Sequence, residues 1–275
     1  MSSADRSQYA EAVTNHSEGE LREILGVAEP PISLLGGWAV HLHVTPGFED
    51  THGRSYIGSR DIDLGIPVDP KLSSEDLIES EVATTFDRIK SDLGYHRGRF
   101  GFYQQFHRET GERLDDEAAR KEPPHNVFRV DIDILPDTSK LDAFHEAFGF
   151  RPPAEPLLKP VFADETGERL TDYVEWDVPE GMYIPPASFM AAMKVRSLPQ
   201  RDKSHKRLKD LADLFGLLWY VSDYDEMRSS VKEILTENDL PRFASMATED
   251  LIESTARLID VEAITVEQSI RGLVD

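Results

Sequence analysis

Apolar and polar residues alternate along two stretches of the chain, in the pattern that is typical of strands. In the segment DIDLGI the apolar positions are separated by Asp61 and Asp63, and in FRVDIDIL the acidic positions are Asp131 and Asp133. Because successive side chains of a strand point to opposite faces of its sheet, each stretch predicts a strand with one apolar and one acidic face. A sheet that places the two strands side by side would gather these carboxylates on one face.

An apolar run followed by two glycines precedes the first acidic strand. The segment ISLL ends in Gly36 and Gly37, which lead into WAVHLH. This order predicts a strand, a tight glycine turn and a short helix. Glycine allows backbone conformations that are closed to other residues, so N–H groups at the start of the helix can approach an anion. The turn is therefore a candidate phosphate site.

The acidic strands favour metal-assisted chemistry at phosphate. Two carboxylates on one strand face repel each other unless a cation lies between them, and Mg²⁺ prefers oxygen ligands of this kind. Three or four carboxylates on one face would suffice to hold two metal ions for in-line attack at phosphorus. Ser59 and Arg60 adjoin Asp61 in the chain, so we expect them to flank the same pocket.

Much of the remaining chain has a helical period. Helices are predicted at 2–26, 73–93, 139–148, 187–198, 201–214, 231–235, 251–259 and 261–273. Strands or hairpins are predicted at 95–107, 157–162 and 171–178, and loops or surface excursions at 45–59 and 109–125. Ser17 and Glu20 form a capping-box pattern. The whole pattern predicts an α/β (α+β) fold, with a mixed β-sheet flanked by helices and followed by a helical C-terminal domain.

The same pattern divides the chain into three parts. Residues 1–150 contain the glycine turn and both acidic strands, and we interpret them as the catalytic domain. Residues 151–185 are rich in proline at their start and form a junction with possible extra strands. Residues 186–275 are helical in pattern throughout, which predicts a separate helical C-terminal domain.

Charge restricts the partners that the chain can have. The 275 residues include 52 acidic and 30 basic ones, for a formal net charge of −22. Such a charge argues against a protein that binds nucleic acid over its whole surface, because phosphate contacts need Lys and Arg. The sequence has no cysteine, which excludes structural disulfides and thiolate catalysis. With no apolar run of membrane-spanning length, we expect a cytoplasmic protein without a membrane partner.

One basic stretch stands out from this acidic background. From Lys194 to Lys209 the chain has seven Lys or Arg residues and one acid. This stretch predicts a binding site for a triphosphate or an RNA backbone. Asp210 and Asp213 follow on one helical face, one turn after Lys206 and Lys209 respectively. An alternative interpretation is therefore a chain of ion pairs along one helix.

These residues resemble a known superfamily. The glycine turn, the segment GSRDIDL and an acid in a later strand are similar to the DNA polymerase β-like nucleotidyltransferases, and GG followed by WAVHLH is similar to the AbiEii/MenT-type nucleotidyltransferase toxins. Ala192-Met193-Lys194, Arg201 and the segment KDLADL resemble the A-x-K and R…KDxxDL motifs of AbiEii-like enzymes. Residues 202–207 look like an insertion relative to the short toxin form.

The resemblance implies a metal-dependent enzyme that transfers NMP from an NTP to an acceptor and releases pyrophosphate. It implies a catalytic set of Asp61, Asp63, Asp131, Lys194 and Asp210. The ligands of two Mg²⁺ or Mn²⁺ ions would be Asp61, Asp63, Asp131 and Asp133. The nucleotide would be bound by Gly36, Gly37, Ser59, Arg60, Lys194, Arg201 and Lys206. In this scheme the helical C-terminal domain contributes Lys194 and Asp210 to the site.

The sequence leaves open the identity of the acceptor and the identity of the third metal ligand. In the resembling toxins the acceptor is RNA, often a tRNA 3′ end, and a toxin of this kind would have a cognate antitoxin protein as a partner. The same fold also modifies proteins and small molecules, and a non-catalytic nucleotide-binding regulator is a further alternative. Because Asp131 and Asp133 share one strand face, alternation does not decide which of them is the third ligand.

Overall fold

A computed structural model describes residues 11–163 and 166–275 of the protein, and these residues divide into two units. The sheet unit consists of residues 11–38, 58–163 and 166–185, and the helical unit consists of residues 39–57 and 186–275. Residues 2–10 of the predicted first helix lie outside the described residues.

The sheet unit contains all the strands of the described chain. The strands are β1 (Ile32–Leu35), β2 (Ile62–Ile66), β3 (His96–Arg97), β4 (Gly101–His107), β5 (Arg113–Leu114), β6 (Val127–Pro136), β7 (Glu168–Arg169) and β8 (Met182–Ile184). The helices that begin in this unit are α1 (Glu11–Val27), α2 (Gly36–His52, of which residues 39–52 belong to the helical unit), α3 (Ser74–Ile78), α4 (Glu81–Ser91), α5 (Asp116–Lys121), α6 (Asp142–Phe148) and α7 (Lys159–Ala163).

The strands form one mixed sheet. Their order is β3-β4-β6-β2-β1-β8-β7, with β5 beside β4. Strand β2 runs parallel to β6 and β1 runs parallel to β8, while the other neighbours are antiparallel. The two acidic strands are thus direct neighbours at the centre of the sheet.

The two faces of the central strands differ in burial. Ile62, Leu64, Ile132 and Ile134 are fully buried on one face. Helices α4 and α6 cover this face, and the ring of Phe86 in α4 lies 5.2 Å from that of Phe102 in β4. The opposite face carries the acidic residues, which are only partly buried. This is the alternation that the sequence predicts.

The helical unit is built from the rest of α2 and from helices after residue 186. These are α8 (Ala187–Ser197), α9 (Ser204–Tyr220), α10 (Tyr224–Ile234), α11 (Asp239–Ala244), α12 (Glu249–Ile259) and α13 (Ala263–Val274). Helix α9 packs against α8 and α12, and Leu211, Leu214 and Phe215 of α9 are completely buried. None of the helices in the described residues combines the length and the apolar character that crossing a bilayer requires.

The predicted fold class is confirmed: a mixed sheet flanked by helices is followed by a helical C-terminal region. The helices predicted at 139–148, 187–198 and 201–214 correspond to α6, α8 and α9. The hairpin predicted at 95–107 is formed by β3 and β4. The predicted division at residues 150 and 185 stays a prediction.

Helix α2 corrects the prediction of a short helix and a loop at 45–59. The helix continues through Pro46 and Gly47 to His52. Proline and glycine are read as helix breakers because one lacks an N–H and the other loses more entropy on folding. Here packing outweighs propensity: a Cβ at Gly47 would lie 2.1 Å from the carbonyl oxygen of Tyr220, so this close approach requires glycine.

Other local predictions were wrong where short-range signals are weak. Residues 73–93 form two helices because Ser80 caps a new helix with its side chain. Residues 157–162 form a short 3₁₀ turn and α7, and 170–172 form a 3₁₀ turn, so neither stretch is a strand. The short strands β7 and β8 and helix α11 were missed, and 109–125 contains β5 and α5.

Candidate active site

The register of the central strands brings two predicted acids together. Asp63 of β2 and Asp133 of β6 are direct partners in the parallel pairing. Partners in neighbouring strands are about 4.8 Å apart and point to the same face. Asp131 lies two residues earlier on β6 and therefore also points to this face. Asp63, Asp131 and Asp133 are all partly buried, so together they form the acidic face of the sheet unit.

The glycine turn adjoins this acidic face. Strand β1 pairs with β2 so that Leu35 lies opposite Asp63, and Gly36 follows directly. Gly36 has φ +64°, in the left-handed region that favours glycine. A Cβ at Gly36 would lie only 1.8 Å from Oδ2 of Asp63. Position 36 therefore requires glycine both for its backbone conformation and for the close approach of the carboxylate.

The segment before β2 is fixed by a hydrogen bond from Ser17, for which the sequence predicts a capping role. Ser17 Oγ donates to the carbonyl of Arg60 over 2.8 Å, and Trp38 Nε1 donates to Ser17 Oγ over 3.1 Å. Ser17 is buried in the middle of α1, so its predicted capping role is wrong. Its pairing with Trp38 is a long-range contact, which no local sequence signal reveals.

Asp61 and its neighbours form a small polar network at the end of this segment. Arg60 Nε lies 3.0 Å from Asp61 Oδ1. Ser59 is buried, and its Oγ donates to the backbone carbonyl of Asp61 over 2.9 Å. The network places Ser59 and Arg60 beside Asp61, where the sequence predicts them. Ser59 uses its hydroxyl to fix the backbone there.

Asp131 is engaged by an arginine on its own strand. Arg129 donates to Asp131 Oδ1 from Nε over 2.8 Å and from Nη2 over 2.5 Å. The guanidinium carbon of Arg129 also lies 3.9 Å from the ring centroid of Tyr103, the residue opposite Asp131 on β4. Asp133 lies opposite Gly101 on β4 and opposite Asp63 on β2.

The donor set of the acidic face fits a metal ion that is shared with a substrate. Within the described residues no group of three or more Asp, Glu or His side chains is arranged to hold a metal ion by itself. Mg²⁺ does not need such a group, because proteins commonly bind it through one or two carboxylates together with substrate phosphates and water. Asp63 and Asp133 meet this lower requirement.

The predicted residues of the C-terminal region form a buried ion cluster in the helical unit. Lys194 Nζ lies 2.8 Å from Asp210 Oδ1 and 2.7 Å from Asp213 Oδ2. Lys209 forms a further ion pair with Asp213. All four residues are buried, with Asp213 completely inaccessible. Lys194 and Lys209, the two ends of the basic stretch, therefore neutralise buried carboxylates in this structure.

The charges of the buried ion cluster shift one another's protonation equilibria. Burial alone would raise the pKa of Asp210, but the charges of Lys194 and Arg201 lower it to about 2. Burial alone would lower the pKa of Lys194, but Asp210 and Asp213 outweigh it and the pKa is raised. The pKa of Lys209 is lowered, because Asp213 does not offset burial and the repulsion from Lys194. Asp210 and Lys194 are thus held in their charged forms.

Other polar groups complete the buried ion cluster. Ser197 Oγ donates to Asp210 Oδ2 over 3.0 Å, and Arg201 Nε donates to the same oxygen over 2.7 Å. Tyr56, buried in the helical unit, donates its hydroxyl to Asp213 Oδ1 over 3.2 Å. Sequence reasoning did not find Tyr56, because it lies 157 residues from its partner. Lys206 is partly buried near the start of α9.

The predicted site residues thus fall into two groups. Gly36, Gly37, Ser59, Arg60, Asp61, Asp63, Asp131 and Asp133 belong to the sheet unit, and Lys194, Arg201, Lys206 and Asp210 belong to the helical unit. The ion pair of Lys209 with Asp213 agrees with the alternative interpretation of this helix. Joint action of both groups in one site stays a prediction.

Comparisons with known proteins give one weak structural likeness. No protein-family model and no curated protein matches the chain. Among solved structures, the chain is similar to the crystal structure of an antigenic nucleotidyltransferase-like protein from Paracoccidioides brasiliensis, with a TM-score of 0.34 and 13% sequence identity over 86% of this chain and 94% of that chain. A TM-score of this size does not establish a shared fold, so the function must be inferred from the residues themselves.

Proposed function

We propose that the protein is a metal-dependent nucleotidyltransferase that transfers NMP from an NTP to an RNA acceptor. One observation carries the proposal: Gly36 lies directly against the carboxylate of Asp63, which is itself in register with Asp133. A glycine turn at the start of a long helix suits phosphate, and adjacent carboxylates suit a divalent cation. A nucleoside triphosphate complexed with Mg²⁺ supplies both the phosphate and the divalent cation.

Different residues of the sheet unit would bind the phosphate and the cation. The backbone at Gly36 and Gly37, where α2 begins, would receive phosphate oxygens. Asp63 and Asp133 would hold the cation, with Asp61 beside them. Bound Mg²⁺ would offset phosphate charge and lower the pKa of an attacking hydroxyl. Mn²⁺ has the same preference for oxygen ligands, and a second ion would draw on Asp61.

The reaction itself requires no side-chain nucleophile. The acceptor hydroxyl oxygen forms a bond to the α-phosphorus while the bond from that phosphorus to the oxygen bridging to the β-phosphate breaks. Pyrophosphate leaves with the electron pair, and the hydroxyl proton passes to a carboxylate of the acidic face or to water. The role of the protein is positioning and charge stabilisation, as is general for phosphoryl transfer.

Between the two candidate third ligands, the geometry favours Asp133. It is the register partner of Asp63, whereas Asp131 lies two residues, or about 7 Å, earlier on β6 and contacts Arg129. We therefore assign Asp131 a positioning role toward Arg129. Asp133→Asn should reduce transfer about 100-fold or more, as expected for the loss of a charge that acts in the transition state. Asp131→Asn should reduce it by a smaller factor.

An RNA acceptor is supported by the sequence resemblance to the AbiEii/MenT-type toxins, whose acceptor is RNA and often a tRNA 3′ end. By the same resemblance, the protein would be the toxin of a toxin–antitoxin pair, and Lys194 and Asp210 would assist nucleotide binding. The buried ion cluster restricts how Lys194 can act, because its ammonium contacts two carboxylates. Arg201, which is 38% exposed and contacts Asp210, is the more accessible cation of this group.

The test is a transfer assay with the purified full-length chain, Mg²⁺, each of the four α-labelled NTPs and total RNA. We expect label in RNA, lost on addition of a chelator and in Asp63→Asn. Asp69→Asn is the matched control, because Asp69 is an exposed acid of the same unit, outside the acidic face. Transfer that survives in Asp63→Asn would refute the proposal.

The destination of the label separates the alternatives. Label in protein instead of RNA would indicate an enzyme that nucleotidylates proteins. Mg²⁺-dependent NTP binding by calorimetry without any transfer would indicate a nucleotide-binding regulator. Absence of both binding and transfer would exclude the entire class of function.

A further inference from the structure

A pocket of about 280 Å³ lies beside Asp131 in the sheet unit, outside the set of residues that the sequence assigns to the site. Its walls come from β4, β6 and α5, and the lining residues are Tyr103, Gln105, Asp116, Ala119, Arg120 and Arg129. Tyr103 lies opposite Asp131 in the sheet, and Gln105 lies opposite Arg129. Because Arg129 pairs with Asp131, the pocket adjoins the acidic face.

The pocket presents two guanidinium groups in different settings. Arg129 is fixed from two sides, by Asp131 and by the ring of Tyr103, yet 45% of its side chain is exposed. Arg120 is exposed on α5, and its side chain makes no hydrogen bond or ion pair within the described part of the chain. In a protein with a net charge of −22, two arginines at the same pocket suit an anionic ligand. Guanidinium is the group best matched to phosphate.

The pocket also offers a hydrogen-bond acceptor, Asp116, on the same helix as Arg120. Asp116 Oδ1 accepts from Gln105 Nε2 over 2.9 Å and lies 3.4 Å from the hydroxyl of Tyr103. Burial and the charge of Asp116 raise the pKa of Tyr103, so this hydroxyl stays a donor. A carboxylate fixed in this way accepts hydrogen bonds from amino groups, such as the exocyclic amino groups of nucleobases.

We infer that this pocket binds one nucleotide unit near the end of the acceptor RNA. Arg120 contacts its phosphate, the exposed plane of Arg129 stacks on its base, and Asp116 accepts from an amino group of the base. Stacking of unpaired bases on arginine planes is a common mode of single-stranded RNA recognition. Arg129 precedes Asp133 by four residues of one strand, or about 13 Å, so an RNA bound here can extend toward the acidic face. The inference rests on the proposed function and adds the acceptor subsite to it.

The test compares two neighbouring residues of α5. Arg120→Glu and Lys121→Glu change the net charge equally, but Lys121 pairs with Glu117 and does not line the pocket. Binding of a fluorescent single-stranded RNA oligonucleotide is measured by anisotropy at several salt concentrations. We expect Arg120→Glu to weaken binding about tenfold and to reduce the salt slope by about one, as for a lost phosphate contact. Lys121→Glu should change affinity by less than about threefold, because it alters only the overall electrostatic potential of the protein.

A second pair of measurements separates this inference from the proposed function. Arg129→Lys keeps the charge but removes the planar group, so it should also weaken RNA binding, while Mg²⁺–NTP binding by calorimetry stays unchanged in both pocket variants. Equal RNA affinity of Arg120→Glu and Lys121→Glu would overturn the inference and leave nucleotide transfer standing. Equal competition by free NMP and by the oligonucleotide would also overturn it, because the pocket would then serve a free nucleotide. Failure of the wild type to bind Mg²⁺–NTP would instead refute the proposed function.

Discussion

The buried ion cluster of the helical unit and the acidic face of the sheet unit are both rich in aspartate, but their charges are satisfied in different ways. Asp210 and Asp213 are almost inaccessible, and lysine ammonium groups lie at bonding distance from both. Asp63 and Asp133 are partly exposed, and the register sets them side by side. Buried paired charges are costly to disrupt, whereas adjacent carboxylates near solvent are suited to a cation. Loss of a charge should therefore lower stability in the first region and activity in the second.

Removal of one cation from the buried ion cluster should have the largest effect on stability. In Lys194→Met, Asp210 and Asp213 stay buried and lose the ammonium that bridges them. Breaking a buried ion pair by removal of one partner destabilises a protein by about 3–5 kcal/mol. The free energy of unfolding, measured by urea denaturation, should fall by this amount.

Lys203→Met is the matched control for Lys194→Met. Lys203 belongs to the same basic stretch but is exposed, and exposed substitutions usually change stability by no more than about 0.5 kcal/mol. Similar unfolding free energies for the two variants would show that the buried carboxylates do not need Lys194. The distinction between the two acidic regions would then fail.

Substitution of Gly36 should damage the acidic face without removal of any carboxylate. In Gly36→Ala the new Cβ would meet Asp63 Oδ2, and the backbone would be held at φ +64°. The left-handed conformation costs a residue with a Cβ about 1–2 kcal/mol, and overpacking typically adds about 1–3 kcal/mol. We expect a total loss of about 2–5 kcal/mol in unfolding free energy, together with weaker Mg²⁺–NTP binding by calorimetry.

Gly94→Ala isolates the backbone part of this effect. Gly94 belongs to the same unit and has φ +71°, but nothing lies within 4 Å of its Cβ position. It should lose only the conformational part, about 1–2 kcal/mol, and should bind Mg²⁺–NTP normally. If the two alanine variants bind the nucleotide equally well, the contact between the glycine turn and Asp63 has no role in binding.

The acidic face could be predicted from the sequence, whereas only the ion pair of Lys209 with Asp213 could be predicted for the buried ion cluster. Strict alternation in β2 and β6 fixes which residues share a face, so the common orientation of Asp63 and Asp133 follows once the strands are neighbours. The position of Lys194 depends on how α8 and α9 pack, and a basic stretch in an acidic chain suggests a surface. Its burial is a tertiary property that local patterns do not encode.

The same distinction explains the errors in the fold. Strand β8 has three residues and pairs in parallel with β1. The paired residues Ile32 and Met182 are 150 positions apart in the sequence, so no local signal marks the strand. Helix α2 continues through Pro46-Gly47 because Gly47 packs against the backbone of Tyr220. In both cases long-range contacts outweigh local propensity.

Acid should weaken the contribution of Asp210 to stability. The pKa of Asp210 in the folded protein is about 2, below its ordinary value of 3.8. A carboxyl group with a lowered folded pKa adds stability above its unfolded pKa, and this stability is lost as the pH falls through the folded value. The full contribution corresponds to about 2 kcal/mol. The stability difference between wild type and Asp210→Asn should shrink by about 1 kcal/mol from about pH 5 to about pH 3.

Glu20 of the sheet unit provides a control of opposite sign. Burial raises the pKa of Glu20, despite its contacts with Tyr95 and Arg113. A raised folded pKa adds stability at low pH, and this stability is lost as the pH rises. On acidification, wild type should therefore gain stability relative to Glu20→Gln while it loses stability relative to Asp210→Asn. If acid changes both stability differences in the same direction, Asp210 is not a carboxylate stabilised by its cations.

The smallest expected effect concerns the hydroxyl of Tyr56. Tyr56→Phe removes the hydrogen bond to Asp213, which is long at 3.2 Å, and keeps the ring whose centroid lies 5.3 Å from Lys209 Nζ. A hydrogen bond of this kind contributes about 1 kcal/mol, so the urea midpoint should decrease slightly with an unchanged slope. Tyr220→Phe, which loses a hydrogen bond to His52 in the same unit, is the matched control. Tyr220 is less buried than Tyr56, and water can replace its partner, so we expect a smaller loss. If Tyr56→Phe is the milder variant, Asp213 is satisfied by its two lysines alone, and the buried ion cluster does not extend to Tyr56.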